Sequence, residues 1–264
     1  MTVDSYERLD VERDGPVAAI TLDGAGAFNS LDGRMTRELR EAAVELAADD
    51  AVRCITITGA GDAFCAGADL SKLAGDASDE TTIRRIAGTL HDAVSQFHYA
   101  PKPVVTGING PAAGGGFGLA IMGDLALVSD GARLEFAYPR IGLTGDGGAT
   151  FFLPRIVGHR RAMEIVLDDE PIGPAEAVDL GLATEVVPAG DLDDRLAERA
   201  AALAAGPTAA YARTKRLLVE SFDRDLEGQM AAETDAMAAA VRTEDFSRGH
   251  AAFFGDEDPE FTGQ

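Results

Sequence analysis

Two glycine-rich stretches hold the residue types best suited to chemistry, Phe64-Cys65-Ala66-Gly67-Ala68-Asp69-Leu70 and Asn109-Gly110-Pro111-Ala112-Ala113-Gly114-Gly115-Gly116. Each follows an apolar, β-branched run, Ile55–Thr58 and Val104–Ile108, and each is predicted to lead into a helix. Small residues let a ligand approach the main chain, and the free N–H groups of a helix start favour negative charge. A single turn of this kind is most often structural. Two in this order predict N–H groups that converge on one point, an oxyanion hole able to stabilise an enolate or a tetrahedral oxyanion.

The elements that must position these turns follow from the apolar pattern. Val17–Leu22 reads as a strand and Asp23-Gly24-Ala25-Gly26 as a turn. Asp32 is placed to cap a helix through about Ala48, with Met35, Leu39, Ala43 and Leu46 on its apolar face. A second helix is predicted over about Thr81–Tyr99, ended by Pro101-Lys102-Pro103. Strands are predicted at Leu125–Val128, Leu134–Phe136 and Thr184–Val187, with helices after Gly147-Gly148 and over 159–168. Beyond Pro188 the pattern is helical, with Leu217, Leu218, Leu226 and Met230 spaced for burial. No internal repeat is evident. Alternating strands and helices before an all-helical tail predict an α/β fold, with a core over 1–200 and a helical region over 201–264. The acidic end, Asp256–Glu260, is expected to be mobile.

Composition narrows the partners. The 264 residues carry 45 Asp and Glu against 23 Lys and Arg, a net charge of −22, with Lys only at 72, 102 and 215. Such a field repels nucleic acid and anionic membranes, so neither is an expected partner. A surface adapted to a high-salt, halophilic cytoplasm would carry this excess. No apolar run is long enough to span a membrane, and Met1–Glu7 shows no signal-peptide pattern, so the expected location is cytoplasmic. Cys54 and Cys65 match no metal spacing and are expected to be reduced.

The two glycine-rich stretches, with Pro101-Lys102-Pro103-Val104, Ile141-Gly142-Leu143, Gly147-Gly148, Leu153-Pro154-Arg155 and Ala177–Leu182, resemble the enoyl-CoA hydratase/isomerase (crotonase) superfamily in order over about residues 10–255. The resemblance implies a crotonase-like spiral of ββα repeats with a C-terminal helical trimerisation region, in homotrimers or hexamers. It implies acyl-CoA thioester substrates and no separate cofactor, coenzyme A being part of the substrate. It places the two oxyanion N–H groups on Ala68 and Gly115, and the CoA-binding segment around Ala66, Gly67, Asp69 and Gly114. Phe28-Asn29-Ser30-Leu31 resembles the family's segment near the pantetheine, which implicates Asn29. Lys72 is placed to reach a CoA phosphate, or to lie solvated on the surface.

The acids depart from the hydratase pattern. The two glutamates of the hydratases fall here on Gly118 and Tyr138. Neither takes up or delivers a proton near neutral pH as a carboxylate does. Asp146, in Thr144-Gly145-Asp146-Gly147-Gly148, resembles the catalytic aspartate of ring-epoxide and dienoyl-CoA isomerases and of 4-chlorobenzoyl-CoA dehalogenase. By position alone it reads as a helix cap rather than a catalytic group. His91 resembles the dehalogenase's water-activating histidine, or is a helix-surface histidine. Tyr138 stands where that enzyme has a tryptophan hydrogen-bonded to its aspartate. The reading that follows is an enoyl-CoA double-bond isomerase with Asp146 as single base. The alternatives are a hydrolytic enzyme with Asp146 as nucleophile and His91 as base, and a hydratase with atypical acids; a non-catalytic acyl-CoA or RNA binder is disfavoured.

Overall fold

The computed structural model describes residues 6–24, 27–255 and 258–264. The expected turn at Ala25-Gly26, the first residues Met1–Ser5 and the acidic pair Asp256-Glu257 lie outside these residues. The chain opens with β1 (Leu9–Asp14), β2 (Val17–Leu22) and α1 (Met35–Ala48), followed by β3 (Cys54–Gly59) and α2 (Glu80–His98). Then come β4 (Val104–Ile108), β5 (Ala112–Ala113), α3 (Gly115–Ile121), β6 (Leu125–Ser129) and β7 (Leu134–Glu135). Helices α4 (Ala149–Val157), α5 (His159–Asp168) and α6 (Pro174–Asp179) precede β8 (Glu185–Val187). The chain continues through α7 (Leu192–Ala204), α8 (Thr208–Glu220), α9 (Leu226–Ala240) and α10 (Glu244–Gly255).

Six strands form one sheet in the order β1-β2-β3-β4-β6-β8, antiparallel at β1–β2 and parallel elsewhere. A parallel sheet needs cover on both faces, and its strands alternate accordingly. Ile55 and Ile57 of β3, with Ala126 and Val128 of β6, pack into the main core with α1 and α2. Cys54, Val105 and Leu127 face the other way, onto Leu192, Leu196 and Ala200 of α7. The predicted apolar face of α1 is buried in full: Met35, Leu39, Ala43 and Leu46 are each at most 2 % exposed. Asp32 Oδ1 accepts from the N–H groups of Arg34 and Met35, so it caps as expected.

Three expectations change. The first glycine-rich stretch does not enter an α-helix; it passes into short 3-10 turns at Leu70–Lys72 and Ala77–Asp79 before α2. Helix α7 runs through residue 200 and packs on the sheet, so the helical extension starts at α8 rather than at 201. Of the four apolar residues expected to be buried in that extension, Leu217 is half-buried, whereas Leu218 is 65 % and Leu226 67 % exposed, and Met230 is exposed too. The chain end is held rather than free at 261–264. Buried Asp245 accepts from the N–H groups of Thr262 and Gly263, and Arg53 donates to the carbonyls of Phe261 and Gly206.

Candidate active site

The two glycine-rich turns meet. Ala113 donates to the Cys65 carbonyl at 2.9 Å, and Cys65 bridges Ala112 in parallel. Gly67 has φ +79°, and a Cβ built on it would lie 2.8 Å from the Ala113 carbonyl and 3.1 Å from the Gly115 nitrogen. Only glycine tolerates both the conformation and the approach. On its other side the first turn is pinned by a bridge from Leu31: Leu31 N–H donates to Gly67 at 2.7 Å, and Asp69 N–H donates to Leu31 at 3.0 Å. That pattern turns the Ala68 N–H away from Leu31. Gly115 is the first residue of α3, where N–H groups lack intrahelical acceptors. Among the described residues neither the Ala68 nor the Gly115 N–H has a protein acceptor. Two free main-chain donors on adjoining turns are the geometry that an oxyanion needs.

Asp146 stands beside them. Its Oδ1 lies 3.4 Å from where a Cβ on Gly115 would be. The same oxygen accepts a hydrogen bond from the Tyr138 hydroxyl. The capping alternative for Asp146 does not hold: the N-cap of α4 is Gly148, with no side-chain cap bond. Burial, the adjacent Asp146 charge and the hydrogen bond to it push the Tyr138 phenol well above its ordinary value of 10, so it stays a donor. The ring packs against Phe136 at 4.8 Å between centroids and is 7 % exposed.

The loop that presents Tyr138 is built by residues that carry no signal in the sequence. Ala137 has φ +63°, a conformation non-glycine residues rarely adopt. Its N–H is held by Asp169 Oδ1 at 2.7 Å. Arg140 joins Asp169 at 2.8 Å and also pairs with Glu135. Glu135, the nearest alternative carboxylate in sequence, is therefore committed to Arg140 and Arg133. Although burial opposes it, these guanidinium groups hold its carboxyl below the ordinary 4.5.

His91 belongs to the same locus but with its lone pair engaged. Its Nε2 accepts from the Gly147 N–H at 3.1 Å. Gly147 in turn lies on α3: a Cβ on Gly118 would fall 2.3 Å from the Gly147 carbonyl oxygen. The space beside Gly118, where the resemblance would put the first hydratase glutamate, is thus filled by the main chain of the Asp146 loop.

The expected CoA-side residues divide. Asn29 is 4 % exposed and its amide is spent inside the protein, with Nδ2 donating to Ala60, Ala63 and Phe64 and Oδ1 accepting from Gly24. It braces the first turn and has no side-chain atom left for a ligand. The Ala66 N–H donates to Phe28 at 2.9 Å, and the Gly114 N–H to Glu135 at 3.2 Å, so both fix the turns. Asp69 accepts from Ser71 and pairs with Lys72 at 3.3 Å. Lys72 also meets Asp32 at 2.8 Å, so its charge is neutralised twice. With its side chain 55 % exposed, Lys72 lies on the surface, paired with these two carboxylates. Cys54 and Cys65 are buried, free thiols, each pushed up to about 12 by burial. Among the described residues no group of His, Cys, Asp and Glu could hold a metal, and no helix is long and apolar enough to cross a membrane.

The whole chain has relatives. The protein called probable enoyl-CoA hydratase of Rhodobacter capsulatus is 38 % identical, over 98 % of this chain and 100 % of that one. The 4-chlorobenzoyl coenzyme A dehalogenase-1 of an Arthrobacter species is 34 % identical, over 96 % and 92 %. The 1,2-epoxyphenylacetyl-CoA isomerase of Escherichia coli is 33 % identical, over 94 % and 95 %. The crystal structure of enoyl-CoA hydratase from Bacillus anthracis superposes with a TM-score of 0.92 at 28 % identity, covering 98 % of this chain and all of the other. The family model described as Enoyl-CoA hydratase/isomerase matches residues 12–264, from β1 to the pinned tail. With its paired glycine turns, crotonase-type fold and near-complete match, the chain belongs to the enoyl-CoA hydratase/isomerase family.

Proposed function

We propose that the protein binds acyl-CoA thioesters and shifts a double bond along the acyl chain, with Asp146 as the only base. The observation that carries this reading is one carboxylate, Asp146, held by Tyr138 beside Gly115, while position 118, where the resemblance puts a hydratase acid, is closed by main chain. The thioester oxygen sits between the Ala68 and Gly115 N–H groups. As Asp146 takes the Cα proton, electrons move onto that oxygen, where the two donors stabilise the charge; each donor is worth about 3 kcal/mol in comparable sites. The protonated Asp146 then returns its proton to the far carbon of the dienolate, and the electrons reform the carbonyl and the shifted double bond. Tyr138 keeps its proton and fixes which carboxylate oxygen faces the substrate. No cofactor enters beyond the coenzyme A of the substrate.

A hydrolytic reading is second, favoured by one contact: His91 touches the residue next to Asp146. There Asp146 attacks carbon, a leaving group departs, and His91 activates water. That step needs the Nε2 lone pair that the Gly147 N–H occupies, which is why the isomerase reading is preferred. Incubation of 3-enoyl-CoA and aryl-CoA thioesters in D2O and in H2-18O, followed by mass spectrometry, separates them. The isomerase exchanges deuterium into the acyl chain with no gain of water. Uptake of solvent oxygen in place of a leaving group supports the hydrolytic reading, and net addition of water supports a hydratase with other acids.

A further inference from the structure

A cavity of about 750 Å³ lies between the two segments that leave the site. One wall is Leu70 and Leu73, directly after Ala68-Asp69. The facing wall is Ile141 and Leu143, in the loop between Tyr138 and Asp146. The N–H groups of Ile141 and Leu143 both donate to the Tyr138 carbonyl, at 3.2 and 3.1 Å, so this wall moves with the catalytic loop. Leu70, Ile141 and Leu143 are 45, 51 and 43 % exposed, an apolar surface that gains by being covered.

The base of the cavity is the first turn of α2, with Ile83. Seven residues on, Leu90 lies 3.1 Å from a Cβ built on Gly115. At 1.5 Å per residue, the cavity is about 10 Å from the oxyanion donors along this helix. Its rim is acidic. Asp76, Asp79 and Glu80 line it, and the single cation there, Arg84, is already paired with Glu80 at 2.8 Å. Asp79 is fixed in place, accepting from the N–H groups of Ala74 and Gly75.

We propose that this cavity receives the distal part of the acyl chain and makes the enzyme prefer neutral, apolar acyl chains long enough to reach it over short ones. It also excludes chains that end in a carboxylate. The proposal rests on the acyl-CoA reading above. An apolar wall rewards each methylene that reaches it, whereas the acidic rim offers a second carboxylate no cation and meets it with a like charge.

The test is equilibrium binding of unreactive saturated thioesters, which needs no turnover. Octanoyl-CoA should bind at least about tenfold more tightly than butyryl-CoA. The octanoyl thioester bearing a terminal carboxylate should bind at least about tenfold more weakly than octanoyl-CoA. In the double variant Asp76→Asn with Glu80→Gln, that second gap should narrow, since Asn caps the turn as Asp does. Equal binding of butyryl- and octanoyl-CoA overturns the cavity assignment. Equal binding of the carboxylated chain, or an unchanged gap in the double variant, overturns the role of the rim. Failure of every thioester to bind overturns the acyl-CoA reading and this inference together. Retained isomerisation with no chain-length preference overturns this inference alone.

Discussion

The Tyr138 hydroxyl donates to Oδ1 of Asp146 across eight residues of chain, so one oxygen of the carboxylate is held in place. The carboxylate proposed as the base is thus aligned within the protein itself, and its orientation depends on the loop that Ala137, Arg140 and Asp169 hold in shape.

Asp146→Asn is expected to retain acyl-CoA binding, because both oxyanion donors are main-chain groups. Turnover should fall by about 10²- to 10⁴-fold, the usual worth of a general base. Steady-state kinetics, saturated-thioester binding and a melting curve check it together. An Asn variant of full activity would remove Asp146 from the chemistry.

The contact between His91 and Gly147 separates two roles. As an acceptor that positions the loop, His91 is replaceable by Gln, whose carbonyl also accepts. His91→Gln should stay within about threefold of wild-type kcat, while His91→Leu should fall by about tenfold or more, leaving a buried N–H unpaired. Loss of activity in both variants, with solvent oxygen uptake in the wild type, would instead identify His91 as a base.

Gly118→Ala tests the closed hydratase position. Its Cβ would meet the Gly147 carbonyl oxygen at 2.3 Å, so the Asp146 loop must shift. The expected cost is about 1–3 kcal/mol of stability, with a loss of turnover, read by denaturant unfolding and kinetics. Gly118→Glu should not create hydratase activity, since the side chain has no path into the site.

Asp32 supplies a pH signature. Although burial alone would raise it, hydrogen bonds from Lys72 and from the Met35 and Arg34 N–H groups hold its carboxyl at about 2, against 3.8 ordinarily. A depressed carboxyl stabilises the fold above its unfolded value and ceases to as pH falls through the folded one. Asp32→Asn should therefore melt below wild type at pH 6, and the difference should close between pH 4 and pH 2. A constant gap over that range would count against it.

Leu218, Phe222, Leu226, Met237, Phe253 and Phe254 are 64–82 % exposed along the helical extension. Too much apolar surface is concentrated there for a free protomer. The expected state is a trimer or a dimer of trimers, and light scattering at working salt should give a multiple of three times 27.5 kDa. A monomer would refute it.

Much of the scaffold was legible because it follows the apolar period. The buried stripe of α1, the ends of α2 and the strands β3, β4 and β6 fall within a residue or two of expectation. The strand β1 was not legible: Leu9-Asp10-Val11-Glu12-Arg13-Asp14 is an edge strand that buries only Leu9, so it carries almost no alternation. The burial predicted for Leu218 and Leu226 was read from correct helical spacing, but spacing names an apolar face and not what covers it. In the site, Asp146 and Tyr138 were reached through family resemblance, and their contact needed coordinates. The His91–Gly147 bond was invisible, because a main-chain N–H has no residue type. Asp169 and Arg140 were missed because their work is to hold Ala137 and its loop, which no motif marks.

Both donors at the proposed thioester position are peptide N–H groups, on turns tied together through Cys65, Ala113 and Gly67. Short of proline, no exchange of side chain deletes a peptide N–H. The electrostatic half of the proposed site therefore has no side chain to lose and depends instead on the glycines, Gly67 foremost, that let the two turns meet, whereas the proposed acid half is a single replaceable residue on a loop. A lineage built this way can lose one reaction and acquire another by relocating a carboxylate, without ever passing through an ancestor unable to grip its substrate.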